Sequence, residues 1–215
     1  MKNLHNNGPG KALPMVKPMI RRNMRGFTLL EMMIVITIIL IVSSISYFSL
    51  QPALRSVRLT NGYNITLMTM RRAREAAISE RRTYIVGFNN AAVPNTVTIT
   101  PAAVTPGGLN LVMPLPNDIR FLAAGLPAVG PDNFGNGTAA IDFDQNVAGG
   151  DQTHIYFYPD GSAQDINSNI NNGVVYLSRT GDRYSARAIT LWGTTGRLRG
   201  WRLSPNGATD IWSQQ

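Results

Sequence analysis

Hydrophobic positions fall along this chain in three successive patterns. From Phe27 to Leu50 the run FTLLEMMIVITIILIVSSISYFSL carries a single charge, Glu31. As a helix at ~1.5 Å per residue it would be about 36 Å long, enough for a bilayer core of roughly 30 Å. The β-branched residues of VITIILIV disfavour a helix in water, but lipid leaves the backbone no partner except itself and so imposes one. Beyond Leu50 the apolar positions thin to Leu67, Met70, Ala73 and Ala77, at spacings of three and four, with Arg71, Arg72, Arg74 and Arg81 largely between them. This spacing predicts an amphipathic helix over 51–82 that continues the first and turns its arginines to solvent. Pro52, which lacks a donor, and Gly62 are the positions where that helix would bend.

From Thr83 onward the pattern shortens into β-rich runs: 83–88, 96–100, 109–113, 139–143, 154–158, 174–178 and 184–192, separated by Gly, Pro and Asn. The predicted class is α+β: a long N-terminal helix, membrane-spanning then amphipathic, packed against antiparallel sheet, with residues 83–215 as one β-rich domain. Segment 122–138, LAAGLPAVGPDNFGNGT, is too rich in Gly and Pro for a regular element and reads as an exposed loop. Segment 166–173, INSNINNG, reads as another.

Charge changes the picture only at the N-terminus. The chain of 215 residues carries +8 at pH 7, but residues 1–26 hold six of the 20 basic residues, including every Lys, and no acid. Residues 27–215 have 14 Arg against 12 acids, about +2, so the high isoelectric point mostly reports the first segment. That segment has no apolar run of its own and is not a Sec-type signal peptide. Its charges lie immediately before the membrane run, which places the N-terminus in the cytoplasm and the domain outside it.

Gly26 separates the basic segment from Phe27, and Glu31 follows Phe27 by four positions, where an unpaired carboxylate in lipid costs several kcal/mol. These residues, GFTLLE before about twenty apolar ones, resemble the type III signal of type IV pilins and type II secretion pseudopilins. The resemblance implies that a prepilin peptidase removes residues 1–26 as a leader by cutting after Gly26. It implies that the new Phe27 amine is methylated, and that Glu31 pairs with the amine of a neighbouring subunit during assembly. It further implies other pilin or pseudopilin subunits and an inner-membrane assembly platform as partners, an inner-membrane anchor at 27–50, and a periplasmic domain. The arginine face at 71–81 then has a second reading as a contact between subunits. Many major pilins close a C-terminal loop with a disulfide; this chain has no Cys, which moves the resemblance toward minor pilins and pseudopilins. The segments RRAREAAISERRTYIVGF (71–88), FYPDGS (157–162) and TTGRLRGW (194–201) are similar to the H-type pseudopilin and FimT-like minor pilin branch.

Enzyme chemistry finds no support, and no cofactor is expected. The two His, His5 and His154, form no pair, and His154 reads as a strand residue. Without Lys beyond residue 26 there is no P-loop, so energy for assembly must come from a partner ATPase. Asp142, Asp144, Asn146 and Asp151 lie close together and resemble a calcium loop. However, Val147 stands where the turn Gly should be and Thr153 where the bidentate Glu should be. They read as surface loop acids.

The C-terminal TTGRLRGWRLSPNG is the strongest lead outside the anchor. As a strand over 196–203 it would place Arg197, Arg199 and Trp201 on one face and Leu198 on the other. Two guanidinium groups beside an indole can hold phosphates and stack a base, with Arg202 adjacent. The stretch also resembles the GRxR motif that FimT-like DNA-uptake pilins use to bind DNA. The competing reading is an ordinary terminal strand whose arginines guard a sheet edge.

Overall fold

The structure is a computed structural model that describes residues 26–103, 107–135, 137–143, 152–207 and 209–215. Its first element is one uninterrupted helix, α1, Leu29–Glu80, which runs through both Pro52 and Gly62. The helix starts where it does because Thr28 caps it: the Glu31 amide donates to Thr28 Oγ1 at 3.2 Å and the Met32 amide to Thr28 O at 3.1 Å. The chain divides into two compact units, 1–48 and 49–215.

In the first unit the apolar helix is exposed along its whole length, and no residue of its most apolar window is buried. Three of its hydroxyls are satisfied within the helix: Thr37, Ser44 and Ser46 donate to carbonyls about one turn back at 2.8–2.9 Å. A helix of this length and hydropathy fits a membrane anchor.

Among its described residues the second unit holds eleven strands: β1 Tyr84–Asn89, β2 Thr96–Pro101, β3 Leu111–Pro114, β4 Ile119–Phe121, β5 Ile141–Asp142, β6 His154–Phe157, β7 Ala163–Gln164, β8 Gly173–Arg179, β9 Asp182–Trp192, β10 Arg197–Asn206 and β11 Thr209–Gln214. They form a five-stranded sheet in the order β3-β2-β1-β6-β7 and a six-stranded sheet in the order β11-β10-β9-β8-β4, with β5 also paired to β8. Every pairing is antiparallel. Alternation sets the inner faces: Tyr84, Val86 and Phe88 of β1, Val97 and Ile99 of β2, and Ile155 and Phe157 of β6 are buried. They share one core with Val175 and Leu177 of β8, Ile189 and Leu191 of β9, and the helix residues Leu59, Tyr63, Leu67, Met70, Ala73 and Ala77. The helical spacing read from the sequence is therefore the buried stripe. Gly62 serves close packing, since a Cβ there would meet Ile119 Cγ2 at 3.0 Å.

The segment 122–138 is not simply an exposed loop. Ala123 and Phe134 are buried with Val174, Tyr176 and Ala188 in a second core, and Trp201 and Trp212 pack against it. This loop thus covers the outer face of the six-stranded sheet, which is why β8 and β9 read as nearly continuous buried runs. The segment 166–173 is likewise partly structured, because Ile170 bridges to Gln164 and Asn171 is buried.

Candidate functional sites

At the N-terminal site, Gly26, Phe27 and Thr28 precede the helix. Gly26 is exposed with no atom within 4 Å of a notional Cβ, and Phe27 is 71% exposed. Glu31 is also exposed, in the first turn, where a carboxylate faces the positive end of the helix dipole. Thr28 and Glu31 have the spacing of a capping box, a helix-start signal that a reading of Glu31 as a membrane-depth charge overlooks.

The C-terminal motif forms β10, and its residues divide among three environments. Arg199 is half-buried: its Nη1 donates to Asp132 Oδ1 at 2.9 Å, and its guanidinium lies over the Trp192 ring at 5.7 Å. Asp132, at the left-handed φ of 55° in the covering loop, also accepts from Thr190 Oγ1 at 2.7 Å and from Trp192 Nε1 at 3.2 Å. Trp201 is half-buried, and its Nε1 donates to that same Thr190 oxygen at 3.0 Å. Arg199 and Trp201 thus share a face, as the strand period predicts, but the face is covered by the loop. The Asp that takes Arg199 lies 67 positions away in a Gly- and Pro-rich stretch, and only the PDN turn residues could have marked it.

Arg197 is exposed, and it lines an open groove of about 450 Å³ with Arg71, Arg74, Glu75 and Thr195. Arg202 points to the opposite face of the sheet, where it lines a cavity with residues of the early helix. The two glycines flanking the motif have steric causes. Gly196 adopts φ 60° beneath Arg74, and a Cβ at Gly200 would clash with the Tyr63 hydroxyl.

Arg74 brings together three separated stretches, 71–88, 157–162 and 194–201. Its Nε donates to Gly161 O at 3.1 Å and its Nη2 to Thr195 O at 3.0 Å. The 157–162 stretch is itself a tight turn: the Gly161 amide donates to Tyr158 O, and Ser162 donates through both amide and hydroxyl to Asp160 Oδ1. Those bonds from Ser162 hold the Asp160 carboxyl below its usual range.

Of the acids that resemble a calcium loop, Asp142 is buried in β5, while Asp144, Asn146 and Asp151 lie outside the described residues. Among the described residues there is no cluster of metal-ligating side chains. His154 is a residue of β6 beside Thr153, its Nδ1 3.0 Å from Thr153 Oγ1.

The prokaryotic N-terminal methylation motif matches residues 21–47. No curated protein and no solved structure matches the chain. The motif, with the long apolar helix and the antiparallel sheets that pack on its continuation, supports a type IV pilin-like, processed subunit and fits membrane anchoring.

Proposed function

We propose that the chain is a minor pilin or pseudopilin. A prepilin peptidase cuts between Gly26 and Phe27, the Phe27 amine is methylated, and a single-pass helix over 27–50 anchors the subunit in the bacterial inner membrane with the domain in the periplasm. Glu31 meets the Phe27 amine of a neighbouring subunit as the assembly platform builds a type IV pilus or secretion pseudopilus. The observation that carries this reading is the methylation motif over 21–47, joined to a helix that begins at Leu29 and has no buried residue in its most apolar window. Mass spectrometry of the native protein tests it. The expected chain begins at N-methyl-Phe27, and Gly26→Leu accumulates as uncut precursor; a mature chain beginning anywhere else rejects the assignment.

A second reading, a DNA-binding minor pilin for natural transformation, has one observation in its favour: Arg197 and Arg71 both face the open groove. DNA binding would then rest on this pair, with Arg199 and Trp201 shaping the strand beneath. On that reading a soluble form starting at Ser49 binds DNA weakly and loses affinity steeply with salt. Arg71→Gln with Arg197→Gln would weaken binding more than Arg72→Gln with Arg81→Gln, at equal change of charge. Equal losses would mean diffuse electrostatics, and no mobility shift at low salt would leave the filament role alone.

A further inference from the structure

Arg187 of β9 and Arg202 of β10 stand directly opposite each other across the strands, a like-charge pair that destabilises a sheet. Arg187 is only 8% exposed. Its one side-chain hydrogen bond among the described residues is a long one from Nη1 to Ala186 O, 3.4 Å, and no carboxylate pairs with it or with Arg202 there. Burial, and then the Arg202 charge, both disfavour the Arg187 cation. The pair opens into a cavity of about 330 Å³ whose wall also carries Arg55 and Arg179. Asp182 is the single acid on that wall, and it accepts from the Ser185 amide at 3.2 Å. Four guanidinium groups around one carboxylate, one of them buried without a counter-charge, give the cavity an excess of positive charge that an anion would offset.

The position of the cavity in the chain suggests which anion. Pro52, Arg55, Ser56 and Leu59 form its helical wall, and they follow the apolar run, which ends at Leu50, by two to nine positions. At ~1.5 Å per residue the wall begins within about 3 Å of the run's end along the helix and reaches about 14 Å beyond it. On the anchor reading of 27–50, the cavity's helical wall therefore follows the membrane run closely enough in the chain for lipid headgroups to be within reach. We propose that this cavity binds the phosphodiester headgroup of an anionic phospholipid, with Arg187 and Arg202 as its principal ligands and Arg55 and Arg179 at its rim. Guanidinium forks match phosphate oxygens in pairs, and arginines near a membrane surface attract anionic lipid. The proposal rests on the anchor reading of 27–50 but is independent of cleavage and of the filament the subunit serves.

The test uses the full chain in nanodiscs of phosphatidylcholine alone and with one-third phosphatidylglycerol, following thermal unfolding of the domain. The anionic lipid should raise the wild-type melting temperature by ~3 °C or more through preferential binding to the folded state. Arg202→Gln should behave with opposite sign in the two lipids. It relieves the like-charge pair and so unfolds no lower than wild type in phosphatidylcholine, yet it loses most of the gain from phosphatidylglycerol. Arg55→Gln, on the exposed helix, should lose part of that gain, and Arg72→Gln none. The proposal is overturned by an equal gain in wild type and Arg202→Gln. It is overturned by the same gain from millimolar inorganic phosphate in phosphatidylcholine, which would assign a free anion. It is also overturned by a gain that follows protein concentration rather than lipid, which would assign the carboxylate of a second copy. If the domain never anchors in either nanodisc, the anchor reading itself fails, a result visible before any melting experiment.

Discussion

Asp132 shows how much one side chain organises. Its carboxylate is 8% exposed and accepts from Arg199, Thr190 and Trp192, so this one residue bonds the loop at 122–138 to both β9 and β10. Arg199→Ala should leave that carboxylate buried without its counter-charge and lower the stability of the domain by about 2–4 kcal/mol. Arg197→Ala, on the exposed side, should change it by less than ~0.5 kcal/mol. All three Trp residues, 192, 201 and 212, lie around this cluster, so fluorescence reads the change directly. The Arg199→Ala emission should shift to the red under native conditions while that of Arg197→Ala stays put. Equal melting curves for the two variants would show that the Asp132 contact holds nothing in place. Next to it, burial and then the Asp142 charge push the Tyr176 phenol above its ordinary range, so it stays a neutral donor to Phe134 O at 3.2 Å.

At the scale of elements, periodicity carried most of the fold. The stripe Leu67, Met70, Ala73 and Ala77 is the buried face of α1, and each β-rich run contains a strand shifted by a few residues at most. Three strands left no readable pattern. β4 and β7 have three and two residues, too few for alternation, and β11 sets Ile211 beside Trp212 at a sheet edge where only one side pairs. The covering role of 122–138 was illegible for another reason: Gly and Pro composition reports the absence of regular hydrogen bonding, not the absence of burial. The C-terminal motif was read as a strand with Arg197, Arg199 and Trp201 on one face; the strand is present, with Arg197 open to a groove, but what lies over Arg199 and Trp201 depends on a long-range contact that no local pattern encodes. Its glycines make a separate prediction about how α1 meets β10. Gly200→Ala drives a methyl group into the Tyr63 hydroxyl and should destabilise by about 1–3 kcal/mol through overpacking. In a Tyr63→Phe background the same substitution should destabilise measurably less, because the nearest clashing atom is gone. Additive effects in denaturant unfolding would mean that the strain lies elsewhere.

For the whole molecule, the division into two units separates stability from assembly. The residues that α1 contributes to the core begin at Leu59, and none of the buried residues lies in the apolar run. Leu29, Leu30, Ile36, Ile38, Ile39, Leu40 and Ile41 are each more than half exposed, an apolar surface of the kind that lipid or a neighbouring helix covers. Glu31 sits at the start of this run with no ion-pair partner among the described residues. Glu31→Ala should therefore leave the unfolding temperature of the domain and the membrane level of the protein unchanged. Insertion should even become easier by a few kcal/mol, since a carboxylate no longer enters lipid. Crosslinking to other filament subunits, however, should fall at least tenfold if the Phe27 amine of a neighbour is its partner, a loss of about 1.4 kcal/mol or more per contact. Glu31→Gln divides the two roles of the residue. It keeps a side chain able to accept at the helix start, as a capping box requires, but it removes the charge. Assembly lost in both variants identifies charge pairing as the requirement, whereas assembly restored by Gln would reduce Glu31 to a helix-start residue and remove the amine contact from the filament.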